Sequence, residues 1–438
     1  MNFELNEITV HSKPVKCLKI IGKPIQSRNP THTIVLLDTS GSMDEGSKLA
    51  NVKKSLTFLL KFLHKSDYLS LVTFNDFSQI LIENINVSNE YMEAFRYTID
   101  TLRAQGGTNL SAGLLNVKGI LERNVSNIKT GLIILTDGHA NEGLTRSEDL
   151  LRVIQSIKTL NPSISITTIG YNDDHNANLL KEIATNGNGS YNIVNNIEQV
   201  ATVFGDILGG LITTVAQNVT VTYPSSWNNL NIYKKSVNDT NTILNIGDVC
   251  GESETILLFK DTDASSISVY GVNTDTLESI HNTITWAASA SEYNSYKDPY
   301  MMAYIRNSLA HILSNMKTIN KEEVKNSLNE MKVFLSGPLI QFNPLTKMLK
   351  DEIASIESQL NDSCIDTTHN LQASMMLGFG RGMTSARPTL RRRPSIVNNI
   401  DTVTDALHNV NMSTPFANRV QREITQQMYS MTEDDPRE

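Results

Sequence analysis

Between residues 33 and 213, apolar runs that stop at turn residues alternate with stretches whose apolar positions recur at helical spacing. TIVLLD (33–38) and GLIILTD (131–137) are continuous apolar runs ending in Asp, the pattern of a parallel strand buried on both faces. Leu49, Val52, Leu56, Leu59, Leu60 and Leu63 share one face of a helix beginning at Lys48. YLSLVTF (68–74) and QILIENI (79–85), with a short polar gap between them, read as a hairpin; SISITTIG (163–170) and SYNIV (190–194) read as further strands. Helices are expected over 91–102, 111–121, 178–185 and 198–213. Such alternation predicts an α/β domain over residues 31–214, built on a doubly wound, mostly parallel sheet.

Beyond Thr214 the pattern changes. NVTVTYP (218–224), NTILNIG (241–247), ETILLFK (254–260) and SISVYGV (266–272) are short, turn-separated strands, which predict a β-sandwich-like domain over 215–290. FELNEITV…VKCLKII (3–21) is also strand-like and has no place in a parallel sheet. Residues 1–30 are therefore expected to complete the sandwich, because an uncovered strand edge is a liability. Residues 291–361 read as a helical region: Met301, Tyr304, Ile305, Leu309, Ile312 and Leu313 share a face, and further helices are expected over 322–335 and 346–360, parted by Gly337-Pro338. Residues 362–438 lack sustained periodicity and are expected to be a mostly disordered tail. Its block of Arg381, Arg387, Arg391, Arg392 and Arg393, free of acids, suits an acidic surface, including the chain's own.

Composition narrows the classes of function. The 438 residues carry 46 Asp plus Glu against 38 Lys plus Arg, a net charge of -8, so no basic field for nucleic acid is expected. Cys17, Cys250 and Cys364 lie too far apart for a zinc finger, a RING or a CxxC redox site. MNFELNEITV has no apolar signal core, and no run approaches the roughly 18 apolar residues of a membrane span. A cytoplasmic protein with no membrane contact is the expectation.

Candidate chemistry gathers at three strand ends. DTSGS (38–42) sets Asp38, Ser40 and Ser42 at alternate positions around a tight turn, GGTNLSAGL (106–114) presents Thr108 before a helix, and LTDGHANEG (135–143) presents Asp137. Ligands of open α/β sheets bind at the carboxyl ends of strands. Two carboxylates and three hydroxyls make an all-oxygen set suited to a hard cation, Mg²⁺ or Mn²⁺. Taken alone, DTSGS also reads as an ordinary capping turn. An aspartyl-phosphate phosphatase needs a second Asp where Ser40 stands, and no P-loop lysine follows Gly106-Gly107.

The three fragments, in this order, resemble the von Willebrand factor type A (vWA) family over about residues 31–214: DTSGS is similar to its DxSxS motif, GGTNL to the segment bearing its Thr, and LTDG to its late Asp. The resemblance implies a Rossmann-like fold and a metal-ion-dependent adhesion site. In that site Ser40, Ser42 and Thr108 would offer hydroxyls to the metal, Asp38 and Asp137 would act largely through waters, and a Glu or Asp of a partner protein would complete the shell. A non-enzymatic protein-binding module is then expected, its specificity set by loops near 44–47, 107–111 and 138–145. The alternatives are a metal-dependent enzyme subunit, either a hydrolase or part of an ATP-driven complex, and a structural or assembly protein. The oligomeric state and the partner's identity stay open.

Overall fold

The chain opens with a hairpin of β1 (Asn2–Val10) and β2 (Lys13–Ile21). An α/β unit follows: β3 (Thr31–Asp38), a short 3-10 helix (Gly41–Ser47), α1 (Lys48–Phe62), β4 (Tyr68–Phe74), β5 (Ser78–Asn86), α2 (Asn89–Thr101), α3 (Leu110–Arg123), β6 (Lys129–Thr136), α4 (Ser147–Leu160), β7 (Ser165–Tyr171), α5 (Ala177–Asn186), β8 (Asn188–Val194) and α6 (Ile197–Thr213). Then come β9 (Thr214–Pro224), β10 (Asn228–Asn229), β11 (Lys234–Val237), β12 (Asn241–Cys250), β13 (Glu254–Lys260), β14 (Ser266–Asn273) and β15 (Ser279–Thr285), and finally α7 (Asp298–Ser314), α8 (Lys321–Leu335) and α9 (Pro344–Asn361). This is a computed structural model; it describes residues 1–361 except 11–12, 25–28, 125–127, 138, 172–174, 195–196, 232, 261, 263–265, 277, 286–297, 315–319, 338–339 and 341–343. The tail at 362–438, with its arginine block, lies outside the described residues.

The six strands of the α/β unit stand in the order β5-β4-β3-β6-β7-β8. All pairings are parallel except β4 with β5. Val35, Leu37, Ile133 and Leu135 point to the face covered by α1, α2 and α6, while Ile34, Leu36, Leu132 and Ile134 point to the face covered by α3, α4 and α5. Burial on both faces is why TIVLL and LIIL are continuous apolar runs rather than alternating ones. The strand order reverses between β3 and β6, and a crevice opens there at the carboxyl ends. No helix is expected from the sequence between 137 and 163, yet α4 lies there with Leu150, Ile154 and Ile157 buried. Their i, i+4, i+7 spacing is the signal that reveals it.

Two further sheets, β1-β2-β13-β10 and β11-β12-β9-β14-β15, pack face to face. Within β2 the faces split by parity: Leu18 and Ile20 enter the core between the sheets, while Val15 and Cys17 turn outward onto Tyr300 and Ala303 of α7. β13 does the same, with Leu257 and Phe259 inward and Ile256 and Leu258 toward α7. β2 therefore lies against β13, with Leu18 opposite Leu257, and not against the parallel sheet. Helices α7, α8 and α9 share a separate core that includes Leu309, Leu328 and Ile353.

Candidate metal centre

Asp38 ends β3, and Thr136, the last residue of β6, lies beside it across the parallel pairing. The Asp38 carboxylate is fully buried. Its Oδ1 accepts from the backbone N–H of Ser40 at 2.8 Å and its Oδ2 from the hydroxyl of Thr136 at 2.5 Å. These bonds hold the turn in shape, and Met43, packed into the core beneath it, anchors the turn from below. Ser40 Oγ lies 3.2 Å from Ser42 Oγ, and Ser42 Oγ donates to Asp137 Oδ1 at 2.8 Å. Four of the five expected residues thus form one connected oxygen cluster across the crevice. Burial, the larger cause, and the nearby Asp137 charge together push the Asp38 carboxyl up to about 6.

Thr108 stands on a loop beside this cluster, and no hydrogen bond among the described residues ties its hydroxyl to the other four. Its backbone N–H donates to Asn141 Oδ1 at 2.8 Å, and its carbonyl accepts from the N–H groups of Asn141 and Glu142. One residue earlier, Gly107 N–H donates to Asp76 Oδ1 at 2.6 Å, while the Gly106 carbonyl accepts from Gly41 N–H at 3.0 Å. Gly106 has φ +78°, and a Cβ there would collide with the Asp76 carboxylate, so only glycine serves. Asp76, in the short gap between β4 and β5, therefore fastens the Thr108 loop. Asn109 caps α3 by accepting from Ala112 N–H. Of the loops expected to set specificity, 44–47 falls within the 3-10 segment Gly41–Ser47, whose backbone leaves helical geometry at Glu45 and Gly46, and Gly138 lies outside the described residues. His139 and Glu142 are exposed on the rim, where Phe77 is also 80% exposed.

Sequence reasoning missed Lys48, the first residue of α1. Its Nζ donates to Asp137 Oδ2 at 2.5 Å and to the Ser42 carbonyl at 3.2 Å. Asp137's side chain is fully buried and that of Lys48 nearly so. A signal was available: a cation in the first turn of a helix opposes the helix dipole and needs a compensating anion.

The donor set fits a hard divalent cation on its chemistry. Apart from the Lys48 ammonium, the side-chain groups gathered there offer oxygens, two of the side chains are buried carboxylates, and the hydroxyls of Ser40 and Ser42 are already drawn together.

Residues 33–206 match the family model of the von Willebrand factor type A domain. The α/β unit of this chain is accordingly a vWA domain. Among curated relatives, YfbK of Escherichia coli (strain K12) is 27% identical over 194 residues, covering 43% of this chain and 32% of that protein. The protein sll0103 of Synechocystis is 32% identical over 171 residues, 39% of each chain, and inter-alpha-trypsin inhibitor heavy chain H3 of Pongo abelii is 28% identical over 167 residues, 36% of this chain and 19% of that one. The chain thus spans less than half the length of these relatives. A solved vWA protein from Catenulispora acidiphila covers 94% of this chain and 96% of its own with a TM-score of 0.53 at 14% identity, which shows a shared fold.

Proposed function

We propose that the vWA unit is a protein-binding module that holds one Mg²⁺ or Mn²⁺ at Asp38, Ser40, Ser42, Thr108 and Asp137 and receives an Asp or Glu of a partner protein there. The observation that carries this reading is the hydrogen-bonded run Ser40–Ser42–Asp137, set beside buried Asp38 at the reversal of strand order. Domains of this family commonly serve as protein-interaction modules. Ser40, Ser42 and Thr108 offer neutral hydroxyl oxygens, while Asp38 and Asp137 orient them and supply the negative charge. When bound, the cation supplies a Lewis-acidic contact for one external carboxylate. The role of the chain's own residues is to position and to bind, so the reading is of recognition without turnover.

Calorimetric titration with MnCl₂ tests it. The wild type is expected to bind one equivalent, and the Ser40→Ala/Ser42→Ala double variant to lose at least tenfold in affinity, about 1.4 kcal/mol. Equal affinity in the two proteins sinks the reading. A pull-down in which EDTA releases the partner from the wild type checks the second half of the claim.

A further inference from the structure

Among the described residues, Lys48 is a cation that the fold itself aims into the oxygen cluster. Its ammonium contacts Asp137 Oδ2 and the Ser42 carbonyl, and so touches two of the residues assigned above to the metal. The position has a cost. A lysine in the first turn of α1 faces the positive end of the helix dipole, and its amine leaves bulk water. Asp137, fully buried, offsets both, and in return gains a fixed partner for one oxygen while Ser42 Oγ serves the other.

We infer that Lys48 is a positioning residue whose built-in positive charge keeps the free site's metal affinity low and makes metal and partner bind as a pair. The inference rests on the metal reading above. Its basis is charge balance. Asp38 and Asp137 together carry the charge that a divalent cation would neutralise in full. With the Lys48 ammonium on Asp137, that balance is overshot by one positive charge when the site is filled, and a single external carboxylate restores it. Lys48 therefore moves binding free energy from the metal alone to the metal-and-carboxylate pair. The like-charge repulsion acts over a few ångströms in a largely buried cluster, where screening by salt is weak. Lys48 also holds Asp137 toward Ser42 in the metal-free state, so the cluster is preformed rather than assembled on binding.

The test is MnCl₂ calorimetry on the full chain, comparing the wild type, Lys48→Met, Lys48→Arg and the Ser40→Ala/Ser42→Ala control. Lys48→Met is expected to bind Mn²⁺ about tenfold or more tightly than the wild type, and Lys48→Arg, which keeps the charge, to stay near it. The metal should also raise the melting temperature of Lys48→Met by more than it raises that of the wild type. If Lys48→Met does not fold, Lys48→Gln reads the same quantity. A purely structural lysine predicts the opposite sign, weaker binding on its removal. Wild-type binding that is lost in the serine control but unchanged or weakened in Lys48→Met overturns this inference and leaves the metal reading standing. Absence of binding in both the wild type and Lys48→Met overturns the two together.

Discussion

His32 stands at the opposite end of β3 from Asp38, buried, with Nε2 2.9 Å from the Ser70 hydroxyl. Burial lowers its pKa from 6.5 to about 4. In the unfolded chain the imidazole takes up a proton below about 6.5, whereas in the folded chain it does so only below about 4. Between those values the unfolded state binds more protons, so stability falls as the pH drops through that window, by up to about 3 kcal/mol. Urea midpoints measured from pH 7 to pH 4 should therefore fall more steeply for the wild type than for His32→Gln. Parallel curves would show that His32 is not the source. At this scale residue type and spacing singled out Asp38, Ser40, Ser42, Thr108 and Asp137, and the fold links the four other than Thr108 by hydrogen bonds. Lys48, Thr136 and Asn141 were not singled out, because what matters about each is a neighbour far away in sequence.

Among the elements, β2 carries the most cross-domain weight. It joins the N-terminal hairpin to β13, and its two faces serve two different cores. Leu18 is fully buried between the sheets, near Leu257, Phe259 and Val221. Leu18→Ala should destabilise the protein by about 2–4 kcal/mol through lost burial and the cavity left behind. Chemical denaturation measures this, and a loss below about 1 kcal/mol would mean that the hairpin is dispensable to the sandwich. That VKCLKII and ETILLFK form strands was readable in advance. The pairing of one run with the other was not, since more than 230 residues separate them and nothing local encodes the register.

For the whole molecule, the sandwich meets the α/β unit at the end away from the oxygen cluster. Lys129, which opens β6, lies 3.4 Å from Asp248 of β12. Gln217 Nε2 donates to the Ser163 carbonyl at 3.0 Å, and Asn188, which opens β8, bonds to Asn218 and Asn245 of the sandwich. All of these α/β residues sit at or just before strand starts, whereas Asp38 and Asp137 sit at strand ends. The rim around the cluster is thereby left clear of these contacts with the sandwich. Lys129 and Asp248 are mostly buried, so removing either alone strands the other charge. A double-mutant cycle of Lys129→Met and Asp248→Asn should give a coupling of about 1–2 kcal/mol, with the double variant more stable than the sum of the singles predicts. Strict additivity would show that the two units meet without electrostatic coupling.

Apart from α4, apolar spacing along the chain was enough to specify the alternating pattern of the α/β unit, the short-stranded β segment and the helices after it, because each pattern needs only its own element's period to bury one face or two. Residue chemistry after β3 and β6 was enough to pick out Asp38, Ser40, Ser42 and Asp137, since a turn after a buried strand has few ways to present its side chains; Thr108, expected at a third strand end, lies instead in the loop between α2 and α3. The order β5-β4-β3-β6-β7-β8, the capture of residues 2–21 by β13, and the ammonium resting on Asp137 belong to the folded chain. Each depends on a contact between distant segments, whose free energy comes from shared burial and charge compensation and is invisible to any window read along the sequence.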